Sequence, residues 1–348
     1  MPTSLAHPAF LAGSVGVVAA LLVAVGLLAR RNRKKECELS KQRRLLLLPT
    51  ANPTARRQVS DVRRDAIRQG LARQELALSR KAGAQMAPMP PVYWSMKHLK
   101  HNLRRVDVTR EMRQHVQELA DATCNANTLG QGRDAKPWGR YERLKVHRVT
   151  RIENPATWRM YAAKRATLRD QLRQSQPVPR QAAQTMSASW LPACEAEVNE
   201  VFLWHGTKPA VADVILEHGF DERVGSLQGM FGAGVYFADM CSKSDQYCTP
   251  RNPATSGSDA RFTMFLSRVM LGAAHSTATA MSQTRRPPNM PSMPGRAHDS
   301  IVYRPPAGRY PEFIVYDKNQ AYPEFLVEFE RALAPPPRTR RSWRFWRR

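Results

Sequence analysis

Apolar positions are dense at one end of the chain, sparse in the next stretch and periodic only beyond that. From Pro8 to Ala29 no residue is charged, and Val15 to Leu28 is almost wholly Val, Ala, Leu and Gly. A helix of about 20 such residues crosses a bilayer, so the pattern predicts one N-terminal transmembrane helix. Arg30, Arg31, Arg33, Lys34 and Lys35 follow at once, while Met1 to His7 holds no Lys or Arg. Basic residues favour the cytosolic flank, which predicts a single-pass membrane anchor over residues 1–35 with the rest of the chain facing the cytosol. A cleavable signal peptide would carry its basic residues ahead of the apolar run. Residues 36–106 are rich in Arg, Ala and Gln, with Pro49, Pro53, Pro88, Pro90 and Pro91 among them, and read as a basic, flexible tether.

Regular spacing begins near Asp107. Val116, Leu119 and Ala120 predict a helix ending at Thr123, and Leu144, Val146, Val149 and Ile152 predict one or two strand segments over Arg143–Ile152. Asn154-Pro155 supplies an N-cap and a first-turn proline for a helix that turns Trp158, Tyr161 and Leu168 to a core. After a polar linker, Gln174 to Cys194, the pattern gives a strand (Val198–Trp204), a helix (Pro209–His218), a glycine-rich turn and a short strand (Val235–Phe237). A helix (Ser242–Tyr247) and a long strand (Phe262–Leu271) follow. Ala273 to Arg296 holds four prolines and no period, and reads as a loop. Two last strands run over Glu312–Tyr316 and Glu324–Phe329. Short strands mixed with helices, without a βαβ rhythm, predict an α+β fold with a mixed or antiparallel sheet and flanking helices over residues 107–334.

The net charge of +25 over 348 residues changes the picture of the partners. An excess of this size calls for an anionic neighbour: acidic lipid headgroups, nucleic acid or acidic protein tails. Residues 335–348 set Trp343, Phe345 and Trp346 among arginines, a composition suited to an anionic membrane surface or to stacking on unpaired bases. The five cysteines are odd in number and scattered, with no C-x-x-C pair, so neither a disulfide framework nor a metal site is expected.

Between Trp204 and Cys248 the residue types suit a pocket for a flat aromatic amide and a ribose. His205 and Gly206 stand where a strand stops, which leaves backbone atoms open to a ligand. Tyr236 and Tyr247 lie eleven residues apart across a turn and a helix, and two rings so placed sandwich a flat ligand. Ser244 precedes Tyr247 by one helical turn, and Lys243 points elsewhere, to a ribose, a phosphate or solvent. Gly232 and Gly234 allow close backbone approach.

The string F-D-E-R, G-M-F-G-A-G, V-Y-F-A and S-K-S resembles the nicotinamide pocket of the poly(ADP-ribose) polymerase catalytic domains, and of the tankyrase type in particular. V-T-R-I-E-N-P-A-T-W, from Val149 to Trp158, resembles the opening strand and helix of the same family. The resemblance implies a split-sheet ADP-ribosyltransferase fold and NAD+ as the substrate. ADP-ribose would pass to protein acceptors, with elongation to a polymer. The alternatives are transfer of single units, or a tethered protein that binds NAD+ without transfer. By resemblance Gly206 clasps the carboxamide, His205 contacts the adenosine ribose, Ser244 bonds the amide, and Tyr236 and Tyr247 flank the ring. The carboxylate has two candidates, in Tyr310-Pro311-Glu312-Phe313 and Tyr322-Pro323-Glu324-Phe325. Glu312 precedes an aromatic, two aliphatics and a tyrosine as the family's catalytic glutamate does, so the expected catalytic set is His205, Tyr236 and Glu312. The tankyrase zinc ligands have no counterpart from Thr249 to Ala260.

Overall fold

A computed structural model describes residues 89–95, 103–129, 141–174, 179–252, 260–306 and 310–332. The proposed anchor, most of the tether and the basic tail lie outside them. Among the described residues no helix is long and apolar enough to cross a membrane.

Among the described residues nine strands form two sheets. The first has the order β1 (Arg104–Asp107), β2 (Arg143–Glu153), β9 (Ala321–Ala332), β5 (Phe262–Met270), β3 (Glu200–Gly206). The second has the order β4 (Val235–Phe237), β8 (Glu312–Val315), β7 (Ser300–Tyr303), β6 (Ala274–Thr277). Among the described pairs only β6–β7 is parallel. Among the described residues the α-helices are α1 (Thr109–Ala122), α2 (Pro155–Arg173), α3 (Pro209–His218) and α4 (Cys241–Asp245). The α+β reading with a mixed sheet and flanking helices holds.

Period-two alternation explains how one sheet serves two cores. On β5 every residue is buried. Phe262, Met264 and Leu266 face the cluster under α1 with Met112, Val116 and Leu119. Phe265 and Val269 face the cluster against α3 and the second sheet, with Ile215, Leu216, Phe237, Phe313 and Val315. The sheets meet at Trp204 and Ala238, whose backbones exchange hydrogen bonds of 2.7 and 3.0 Å. Beyond that bridge the chains part, and the site opens there.

Asn154 does more than its N-cap position requires. Its side-chain oxygen accepts from the N–H groups of Ala156 and Thr157, and its Nδ2 donates to the carbonyls of Leu216 and Glu217 at the end of α3. One residue thus starts α2 and stops α3. A third cluster packs Trp94 against Trp158 and Tyr322, with ring centroids 5.6 and 6.0 Å apart. Trp94 is buried, so the segment 89–95 is part of the core.

Several elements differ from the sequence expectations, among them β1, which falls in the stretch read as tether, and β9, which begins at Ala321 rather than Glu324. The strand expected from Val198 begins at Glu200, because Val198 closes a 3-10 turn. The loop expected over Ala273–Arg296 opens with β6, and β7 was not foreseen; each has only four residues and pairs across a long insertion. The helix expected over Ser242–Tyr247 ends at Asp245.

Candidate active site

Four pieces of chain converge at the opening: the end of β3, β4 with the glycine turn before it, α4, and the start of β8. Tyr236 pairs with Ile314 across β4 and β8. Glu312 stands two residues before Ile314, so Tyr236 and Glu312 emerge on the same face. Phe237 and Phe313, paired on the other face, point into the core.

His205 is half-buried with its ring edge-on to Phe220, centroids 5.0 Å apart. Its Nδ1 lies 2.7 Å from the Tyr236 carbonyl. A carbonyl only accepts, so Nδ1 carries the proton and Nε2 is left as an acceptor. Burial pulls the imidazole pKa down to about 4, against the opposing pull of that carbonyl, so the ring is neutral at pH 7. Gly206 is in contact with α4: a Cβ there would lie 1.8 Å from the Ser244 carbonyl oxygen. Any side chain at 206 would push α4 away from β3.

Ser244 is buried on α4, and Lys243 beside it lies 3.2 Å from Glu312 Oε1 and 3.0 Å from the Tyr247 hydroxyl. Burial alone would lower the Lys243 pKa, but Glu312 and Tyr247 outweigh it and raise it. Lys243, left between ribose, phosphate and solvent by the sequence, is therefore the partner of Glu312. Tyr247 is 44% exposed, with the Lys243 ammonium 5.1 Å from its ring centroid.

The Tyr236 hydroxyl is already engaged. It donates to the Gly232 carbonyl and accepts from the Phe231 N–H, both at 2.9 Å, so it ties the glycine turn to β4. Burial pushes its phenol pKa up to about 12. The glycines of this turn pack against protein: at Gly232, where φ is +67°, a Cβ would lie 2.0 Å from the Thr284 carbonyl oxygen. The close approach expected there toward a ligand is an approach to the Met281–Thr284 segment, which pairs with the turn through Ala233 N–H to the Thr284 carbonyl at 2.9 Å.

Two residues that the sequence did not single out frame the same opening. Asn125 N–H donates to Ser242 Oγ at 3.1 Å, and Thr128 Oγ1 hydrogen-bonds the Tyr310 hydroxyl. The turn with its cap, residues 125–128, therefore touches both α4 and the approach to Glu312.

The echo of Glu312 has a different environment. Glu324 is fully buried, with Arg268 Nε at 2.9 Å; Arg268 also holds Glu200 at 3.0 Å and Tyr93 at 3.1 Å. Burial raises the Glu324 pKa despite Arg268. None of these groups belongs to the opening. Among the described residues no cluster of three or more His, Cys, Asp or Glu is placed to hold a metal ion.

His205, Tyr236 and Glu312 thus stand on β3, β4 and β8, near the Trp204–Ala238 bridge between the two sheets. The chain belongs to the poly(ADP-ribose) polymerase catalytic domain family, whose model matches residues 126–331. It is similar to the human protein mono-ADP-ribosyltransferase PARP11, 28% identical over 54% of this chain and 52% of that protein. It is also similar to the mouse protein mono-ADP-ribosyltransferase PARP12, 28% identical over 55% of this chain and 22% of that protein. A poly [ADP-ribose] polymerase of Sarcophaga peregrina is 32% identical over 37% of this chain and 15% of its own length. The chain thus spans about half or less of the length of these relatives.

Proposed function

We propose that this protein is an NAD+-dependent ADP-ribosyltransferase that attaches single ADP-ribose units to protein acceptors. The observation that carries the reading is the shared face of Tyr236 and Glu312, with Lys243 reaching Glu312 from α4. In the proposed reaction the bond from ribose C1′ to the nicotinamide nitrogen breaks and nicotinamide leaves with the bonding pair. A nucleophile on the acceptor then attacks C1′ and gives up its proton. The developing cation resembles that of glycoside cleavage, and Glu312 supplies negative charge beside it. The Gly206 backbone and the Ser244 hydroxyl would bind the carboxamide, with the Tyr236 and Tyr247 rings on either side. Neutral His205, with Nε2 as acceptor, would take a hydrogen bond from the adenosine ribose.

Single-unit transfer is supported by the names of two relatives, each a mono-ADP-ribosyltransferase. The carboxylate that elongation requires by family resemblance is also present at Glu312, so the product must be read directly. Incubation of the full chain with labelled NAD+ and a denaturing gel does this. Discrete labelled bands agree with the proposal, a ladder of polymer overturns the single-unit reading, and no label on any protein overturns the activity. Residues 107–334 are proposed as the catalytic part. The N-terminal anchor, its cytosolic orientation and the binding of anionic lipid or nucleic acid by the basic segments are separate proposals, resting on sequence pattern alone.

A further inference from the structure

Three of the proposed site residues, Lys243, Ser244 and Tyr247, lie on or just after α4, a helix of only five residues. A helix so short does not sustain itself. Its last carbonyls accept from the turn that follows, the Asp245 carbonyl from the Cys248 N–H at 3.0 Å, and that turn is held from the far end of β9. Arg331 Nη2 donates to the Asp245 carbonyl at 2.8 Å and the Cys248 carbonyl at 3.1 Å, and Nε donates to Asp245 Oδ1 at 2.9 Å. The Tyr141 hydroxyl hydrogen-bonds Asp245 Oδ2. The guanidinium is fixed in turn by the Phe262 ring, 4.0 Å from its carbon, and by the Tyr141 ring at 5.2 Å.

Stability alone does not account for this arginine. It is 4% exposed, and its Nη1 has no hydrogen-bond partner. An apolar residue of similar volume would avoid both the desolvation and the orphaned donor. What only a planar fork of donors supplies is simultaneous contact with two backbone carbonyls and a carboxylate. The fork pins the chain at Asp245 and at Cys248, on both sides of Tyr247 and directly after Ser244.

We propose that Arg331 is a positioning residue for the nicotinamide side of the site. With Asp245 and Tyr141 it clamps the end of α4, so that Ser244 stays against Gly206 and Lys243 stays within reach of Glu312. This rests on the assignment of that pocket to NAD+, but the clamp itself can be read without any ligand.

The test uses the full chain with Arg331→Met, Arg331→Lys, Tyr141→Phe and, as a comparison, Arg268→Met, which removes a buried arginine that does not touch α4. Amide exchange over 241–248, calorimetric affinity for benzamide, and KM against kcat for NAD+ are measured. Arg331→Met should raise exchange over 241–248 and weaken benzamide binding by about 10-fold or more each, the scale expected for lost charge-assisted hydrogen bonds. KM should rise by a larger factor than kcat falls. Arg331→Lys should recover part of the affinity. Arg268→Met should lower global stability while leaving the benzamide affinity of the folded protein unchanged. If Arg331→Met does not fold, Tyr141→Phe must show the same increase in exchange, of smaller size. A folded Arg331→Met with wild-type exchange and wild-type benzamide affinity would overturn the clamp. Should the wild-type chain bind neither benzamide nor NAD+, the pocket assignment falls, and the exchange over 241–248 still decides for or against the clamp.

Discussion

Lys243 Nζ lies 3.2 Å from Glu312 Oε1, so the carboxylate at the opening is matched to a cation carried by a different element. Glu324, from the same local sequence, is matched to Arg268 inside the core. Two identical four-residue words thus have separate fates, and the difference is testable.

Glu312→Gln keeps the shape and removes the charge. Transfer from NAD+ should fall by about 10²-fold or more, the scale of losing one electrostatic contact to a transition state. Benzamide affinity and the unfolding midpoint should stay near wild type. Loss of fold in this variant, or full activity, contradicts the assignment.

Glu324→Gln should act on stability. Arg268 would keep Glu200 but lose a buried anion at 2.9 Å, and breaking a buried pair costs about 3–5 kcal/mol. Urea unfolding should show that loss, while the protein that remains folded should bind benzamide as before.

His205 sets a pH dependence of stability. Its folded pKa of about 4 lies below the ordinary imidazole value of 6.5, so between those values the unfolded chain binds more protons than the folded one. The contribution of His205 is therefore complete above pH 6.5 and is lost as pH falls toward 4. His205→Gln should flatten this part of the profile. Nitrogen NMR at pH 7 should show a neutral ring protonated on Nδ1, and a protonated Nε2 would contradict the bond to Tyr236.

Trp94→Ala should cost about 3–5 kcal/mol, the scale for emptying a buried aromatic site, because the ring packs on Trp158 and Tyr322. A fragment beginning at 107 would lack Trp94 and Tyr93 altogether. Its urea midpoint should lie below that of one beginning at 89.

Much of the site was legible because it is local. His205 to Tyr247 lie within one stretch of chain, and glycines, tyrosines and Ser244 keep their meaning in that context. Long α1 and α2 were legible from helical spacing and from Asn154-Pro155. What was not legible depends on distant partners. Strands β6 and β7 have four residues each, too few for a period; β7 pairs on the edge of β8 and β6 on the edge of β7. Tyr93 and Trp94 sit in a proline-rich stretch with no pattern, and distant partners such as Trp158, Tyr322 and Arg268 give them a place. The partner of Lys243 comes from a residue 69 positions away, and nothing in Ser-Lys-Ser names it.

The order of the first sheet has a consequence for synthesis on the ribosome. β9, the last described strand to be made, lies between β2 and β5. Until it emerges, the β1–β2 pair and the β3–β5 pair have no shared edge, and the hydrophobic faces of both remain uncovered. Contacts between residues so far apart in sequence form late and slowly. Glu312 has already left the ribosome by then, but the sheet that sets His205 opposite it has not closed. The central strand of the first sheet is therefore the last to join, when residues 321–332 insert, and only then does Arg331 reach the end of α4.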